Sequence, residues 1–351
     1  MNKRIIKNII ESKIKSWLKS VTDEELRDEM ERNVIVTGGC IASLLLGEEV
    51  NDYDVYFRTK GTAKRVAEYY CKMFNERNTN HKNKLGGAAQ AFVLDGLDIE
   101  AWKNGSKTLE EIAPGFSNQG GEKWKENGTW SRMIAGCTID RIKVIVRSDG
   151  VAAEDGKEGI LERPFENVTD LLAEAEHITT DQVDKEVNGE PQKGAFRPIF
   201  LSTNAITLSD KIQVVIRFHG EPEEIHANYD FAHCTNYWTM KDGLVLQQKA
   251  LEALLAKELV YRGSKYPLCS MIRTRKFIKR GFNINAGQYL KMGFQLSKLD
   301  LTDIDVLEDQ LVGVDSAYFM ILINALRNQA ADNPNFQVEE TYVTTIIDKI
   351  F

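Results

Sequence analysis

The chain is poor in proline and has no ordered pattern of cysteine. Seven prolines and 25 glycines in 351 residues, with no residue type dominating any stretch, exclude a collagen-like repeat, low complexity, and disorder as the main state. The five cysteines (Cys40, Cys71, Cys137, Cys234, Cys269) are odd in number and widely spaced, and no two form a Cys-x-x-Cys pair. Neither a disulfide framework nor a cysteine zinc site is indicated. Long hydrophobic runs are missing too: a stretch such as Tyr318 to Ile323 is far short of the ~18 residues a membrane span needs. The N-terminus MNKRIIKNIIESKIKSWLKS scatters charge among its apolar residues, so no secretory signal and no membrane span are expected. What remains, 42% hydrophobic and 28% charged, is the composition of a soluble globular protein of a reducing cytoplasm. The length allows two domains.

Charge is distributed unevenly behind the net value of −7. Residues 149–190 hold 13 acidic and 3 basic residues, the pattern of a solvated insertion. Residues 259–299 hold nine basic residues and no acidic one, the pattern of a surface that meets an anion.

Periodicity predicts an α+β fold: a mixed sheet flanked by helices, then a mainly helical C-terminal region. Residues 3–19 place Ile6, Ile9, Ile10, Ile14, Trp17 and Leu18 on one helical face, which suits docking onto a core better than lying on a membrane surface. Asn33 to Thr37 reads as a buried strand, Cys40 to Leu46 as a short helix ended by Gly47, Tyr53 to Phe57 as a strand and Ala63 to Phe74 as a helix. Asp95-Gly96 predicts a type I′ hairpin between strands 91–94 and 97–102. A second hairpin is expected around Ser209-Asp210-Lys211, a short helix over 222–228, and a strand from Tyr229 to Cys234. Helices follow over 246–260, 269–279 and 307–329. The predicted domains are 1–245, with an insertion at about 104–195, and a basic helical domain over 246–351.

The most informative segment is Val34 to Phe57. A strand delivers Gly38-Gly39 to a helix start, where backbone can approach a triphosphate and free N–H groups can bind its oxygens. Asp52 follows thirteen residues after Gly39, and Asp54 comes one residue beyond it. Strand geometry sends both carboxylates to one face, where they can share divalent cations.

Gly38-Gly39, Leu44-Leu45-Leu46-Gly47 and Asp52-x-Asp54 together resemble the nucleotidyltransferase superfamily that includes DNA polymerase β, poly(A) polymerases and CCA-adding enzymes. The closest local match is the CCA-adding subgroup, although Ala42-Ser43 replaces its Arg-Asp pair and no Glu-Asp-x-x-Arg is present, which argues against tRNA end repair. Segment 204–243 resembles uncharacterised members from phage and viral genomes, which implies action in a host cytoplasm. The resemblance implies an Mg²⁺-dependent enzyme that moves a nucleoside monophosphate from an NTP to a hydroxyl of a nucleic acid or protein. Two Mg²⁺ ions would be held by Asp52, Asp54 and a third carboxylate. That third acid is Asp230, with Asp98 or Glu100 as the alternatives. Gly38, Gly39, Cys40 and Ser43 would hold the β/γ-phosphates. The other reading is a catalytically silent binding or structural protein of a phage with the same fold.

In the basic stretch, Arg273, Lys276 and Arg280 share one helical face. They would bind the triphosphate or an RNA or DNA acceptor. His219, His226 and His233 recur every seven residues but cross a turn, a helix and a strand, so a shared metal site is not expected.

Overall fold

The computed structural model describes residues 2–78, 90–113, 137–147 and 196–311, with Ile134 and single positions beyond 311. The acidic stretch 149–190 and most of the predicted helix 307–329 lie outside the described residues. The elements are α1 (Lys3–Ser20), α2 (Glu24–Asn33), β1 (Val34–Thr37), α3 (Gly39–Leu46), β2 (Tyr53–Phe57) and α4 (Lys60–Asn78). Then come β3 (Gln90–Asp95), α5 (Gly96–Lys103), α6 (Leu109–Ile112), β4 (Ile142–Arg147), β5 (Pro198–Leu201), β6 (Ala205–Leu208) and β7 (Ile212–His219). The last are α7 (Pro222–His226), β8 (Tyr237–Thr239), β9 (Gly243–Val245), α8 (Gln248–Ala256), α9 (Pro267–Lys279), α10 (Ala286–Leu296) and α11 (Ile304–Leu311). No described helix is long and apolar enough to cross a membrane.

The architecture is α+β, as expected. A mixed seven-stranded sheet runs β5-β6-β7-β2-β1-β8-β9, and β3 and β4 form a separate antiparallel pair. β2 lies antiparallel to β1 and parallel to β7. The chain divides into two compact units: the described residues up to Ile225 together with Asn236–Val245, and His226–Thr235 together with the chain from Leu246 onward.

In the first unit, strand alternation separates the two sheet faces. Val34, Val36, Val55, Phe57, Ile212, Val214 and Ile216 are buried on one face. α1 supplies Ile6, Ile10, Ile14, Trp17 and Leu18 to this core, its Lys3, Lys7, Lys15 and Lys19 are exposed, and Lys13 pairs with Asp210 at 2.8 Å. Each such burial is worth about 1.5–3 kcal/mol relative to exposure. The N-terminal helix therefore docks on the core. Trp17 stands 6.4 Å from the Phe57 ring, and its indole N–H donates to the hydroxyl of Tyr70 on α4 at 2.7 Å.

Two local expectations are corrected. Asp95-Gly96 makes no hairpin: the Asp95 side chain accepts from the Leu97 N–H at 2.9 Å and caps α5. A β-carbon on Gly96 would fall 1.8 Å from the Thr138 carbonyl, so glycine is required by close packing rather than by a turn. Tyr229 to Cys234 makes no strand either. Phe231 forms an isolated bridge with Tyr261, and Ala232–Cys234 is a 3₁₀ turn. The hairpin around Ser209-Asp210-Lys211 does form, with Asp210 and Lys211 left-handed at φ 63° and 61°.

In the second unit, Phe231, Phe277 and Phe282 surround His233 at ring distances of 6.1, 4.5 and 4.8 Å. Leu307 and Leu311 of α11 pack with Leu268 and Ile272 of α9 in a smaller cluster.

Candidate functional site

The site grows from the end of β1. Thr37 pairs with Asp54 across β1 and β2, so the turn that follows Thr37 opens directly beside the aspartates. Gly38, at φ 92° and ψ −151°, adopts a backbone that L side chains rarely take, and it is the N-cap of α3 without a side-chain hydrogen bond. A β-carbon on Gly39 would meet nothing within 4 Å, so space lies open at the first turn of the helix. Cys40 is buried, with its thiol directed to the Thr37 carbonyl at 3.6 Å, and Ser43 is buried on the same helix. Gly47 ends α3 in the left-handed region at φ 75°.

Pairing register extends the aspartate position into a polar row. Tyr237 of β8, Thr37 of β1, Asp54 of β2, Gln213 of β7 and Thr207 of β6 stand side by side across five neighbouring strands. Neighbouring strands lie about 4.8 Å apart. The row occupies the face opposite the α1 core, and Asp54, Gln213, Thr207 and Tyr237 are each half-buried. Thr37 is buried and donates to the Asn236 carbonyl at 2.9 Å. Burial first, and then the charges of Glu223 and Asp242, raise the pKa of Tyr237, which keeps its hydroxyl neutral. Gln213, Thr207 and Tyr237 escaped the sequence reading. The alternation of IQVVIRF marks Gln213 as facing away from the core, but only the parallel pairing of β7 with β2 puts it beside Asp54.

Gly38, Gly39, Cys40, Ser43, Asp52 and Asp54 belong to the first unit, as do Asp98 and Glu100, whereas Asp230, Arg273, Lys276 and Arg280 belong to the second. Asp230 belongs to the second unit, where it accepts from Arg273 at 2.8 Å. The predicted third metal ligand and the predicted phosphate clamp therefore hold each other. Lys276 is exposed and Arg280 half-buried in the same unit. Asp98 is on helix α5 rather than on a strand, and its carboxylate is engaged by Lys64 and Lys107. Burial opposes its ionisation, but those lysines outweigh the penalty and lower its pKa. Glu100 pairs with Lys103 at 2.7 Å. Among the described residues, no three His, Cys, Asp or Glu side chains form a group that could hold a metal ion. His219 contacts the Asp140 carbonyl in the first unit, and His233 sits in the aromatic box of the second.

The donor set still suits one hard cation. Mg²⁺ is commonly held by one or two carboxylates together with substrate phosphates and water, and Asp52 with Asp54 can supply the protein's share. The second ion of a two-metal site lacks a ligand set among the described residues.

A family model described as "Gad2: Gabija anti-defense 2 family protein" matches residues 8–257. No curated protein and no solved structure matches the chain. The family match overturns the resemblance to the nucleotidyltransferase superfamily. Gly-Gly and Asp-x-Asp describe a short strand, helix and strand, and the strand paired next to Asp54 places the amide Gln213 beside it. With well over half its length matched, the chain belongs to the Gad2 family of Gabija anti-defense proteins.

Proposed function

We propose that this protein counters Gabija defence during phage infection, in the host cytoplasm, through nucleotide chemistry at the polar sheet face of the first unit. It binds a nucleoside triphosphate with Mg²⁺ there and transfers the nucleotidyl group to a hydroxyl acceptor. The observation that carries this is the Thr37–Asp54 register, which sets the aspartate pair beside a helix opened by Gly38-Gly39.

In this reading the N–H groups at the start of α3 donate to phosphate oxygens, and the open space at Gly39 admits the chain of phosphates. Asp52 and Asp54 hold the cation. Mg²⁺ supplies charge neutralisation on the triphosphate and on the departing pyrophosphate. The acceptor oxygen forms a bond to the α-phosphorus, the α–β bridging bond breaks, and the hydroxyl proton passes to solvent.

A second reading, a phage binding protein without catalysis, is favoured by the neighbour of Asp54 across the sheet being the amide Gln213, which is a poor metal ligand. One experiment separates the two. Wild type, Asp52→Asn/Asp54→Asn and Gly39→Ala are compared for Mg²⁺-dependent NTP binding, for transfer of label from an α-labelled NTP, and for phage plaquing on a Gabija-bearing host. The enzymatic reading predicts that both variants stay folded and lose labelling and protection together, by at least about 100-fold in labelling rate. Variants that protect the phage as fully as wild type refute it and leave the binding reading.

A further inference from the structure

α10 presents an apolar strip that stays exposed among the described residues of its unit. Leu290 and Phe294, one helical turn apart, are 63% and 71% exposed, and Tyr289 beside them is 37% exposed. Gly293 lies between them with nothing within 4 Å of an added β-carbon, which leaves a shallow notch in the strip. The opposite side of the helix is fixed. Gln288 and Met292 are buried, the Gln288 side-chain oxygen accepts from the Tyr261 N–H at 3.0 Å, and Gln295 accepts from the Tyr261 hydroxyl. The exposed strip is therefore carried on a rigid support, which lowers the entropy cost of binding at it.

The surroundings of the strip are basic. α9 packs against α10, and Arg275, Lys276 and Lys279 of α9 are exposed, as are Lys291 and Lys298. No acidic residue occurs between 259 and 299. An apolar strip on one helix, with exposed cations on it and on the helix packed against it, is the anatomy of a protein interface with an acidic partner, although Glu258 at the N-cap of α10 and Asp300 beyond its end are acidic. Tyr289 and Phe294 offer aromatic faces as a nucleic-acid platform does, but α10 carries no arginine beside them, and Leu290 with the glycine notch suits an apolar side chain rather than a base.

We infer that the outer face of α10, with the basic rim of α9, is the docking surface for an acidic protein carrying an apolar anchor. Given the reading that this protein acts against Gabija, on which this inference rests, the partner is a Gabija defence protein. The apolar strip holds the complex together, and the cations accelerate its formation and make it salt-sensitive.

The test measures binding of full-length protein to purified Gabija proteins by surface plasmon resonance, at low and high salt. It compares wild type, Leu290→Ser/Phe294→Ser, Lys276→Glu/Lys279→Glu, and Asp52→Asn/Asp54→Asn. All substituted side chains in the first two variants are exposed, so their melting curves should match wild type. The apolar variant is expected to weaken binding by about 30-fold or more, chiefly through faster dissociation. The charge-reversal variant should slow association about tenfold and flatten the salt dependence. The aspartate variant should bind as wild type does. Wild-type affinity in both surface variants overturns the inference, as does a wild-type protein that binds no Gabija protein. So does a surface that instead pairs two copies of this chain in sedimentation, or one that captures only a single-stranded oligonucleotide. Because labelling and plaquing with the aspartate variant are read separately, the docking surface can fail while the nucleotide reading survives, and the reverse.

Discussion

His233 offers a direct measure of how much an unpaired buried imidazole costs this protein. It is 1% exposed inside the box of Phe231, Phe277 and Phe282, and neither ring nitrogen has a hydrogen-bond partner. Burial drives its pKa down to about 4, with the Arg280 charge adding to the shift and Asp230 opposing it. The sign of the consequence is fixed. Below about pH 6.5 the unfolded chain takes up a proton that the folded chain refuses until about pH 4. The stability this group allows is thus complete above 6.5 and is lost as the pH falls toward 4. Between pH 7 and pH 5 the loss through His233 alone is about 2 kcal/mol. His226, which burial and then the nearby Arg262 also push to about 4, loses a similar amount over the same window. In His233→Phe the box keeps an aromatic occupant and sheds the titrating group. Its absolute stability at pH 7 shifts by about 1 kcal/mol in either direction, as volume and polarity change together. The readout is the slope. Urea melts at pH 7 and pH 5, followed by hydrogen exchange over residues 257–283, should show the variant gaining about 2 kcal/mol on wild type at the lower pH. Parallel pH profiles for the two proteins would refute the assignment.

Two further predictions test the first unit. Tyr70→Phe leaves the Trp17 indole N–H, 0% exposed, without the acceptor it now has at 2.7 Å. The expected loss is about 1–3 kcal/mol in urea melts, and no loss would mean the indole finds water or another acceptor. Gly96→Ala forces a β-carbon toward the Thr138 carbonyl at 1.8 Å, backbone against backbone, and should cost about 3 kcal/mol. Its effect should appear as faster proteolysis around β3 and α5, and wild-type resistance there would contradict the packing.

The parts of the fold legible in the sequence were those written as periodicity within one element. The spacing of Ile6, Ile10, Ile14 and Trp17 specified both α1 and the face it buries. NVIVT followed by two glycines specified β1 and the start of α3, and Gly47 marked where that helix stops. Asp95-Gly96 failed because aspartate serves hairpin turns and helix N-caps alike. What decides between them is distant: Lys60 holds the Asp95 carboxylate at 2.6 Å and Lys64 holds it at 3.0 Å. Burial works against the ionised form of Asp95, yet these lysines and the Leu97 N–H keep its pKa below the usual value. Tyr229 to Cys234 failed for a related reason. A strand exists only where a partner runs alongside, and Tyr261 offers Phe231 a single bridge. The enzyme resemblance erred at the same level. Its motif covers contiguous residues, whereas the neighbour of Asp54 is set by pairing with a strand some 160 positions later.

That neighbour bears on how the proposed site handles charge. Asp54 pairs directly with Gln213, which adds no charge beside it, and Asp52 immediately precedes β2. A third carboxylate one strand away, at about 5 Å, would raise the repulsion by about 3 kcal/mol per pair at an effective dielectric of 20, and a single divalent ion would not neutralise the set. Two acids and an amide match one Mg²⁺ in charge, and the amide can donate to a phosphate oxygen where a carboxylate would repel it. An amide beside Asp54 is therefore compatible with a nucleotide held by one cation. In the proposed function the glycine turn, Asp52, Asp54 and Gln213 would hold the triphosphate together, and any acid needed to activate an acceptor would come from outside the row.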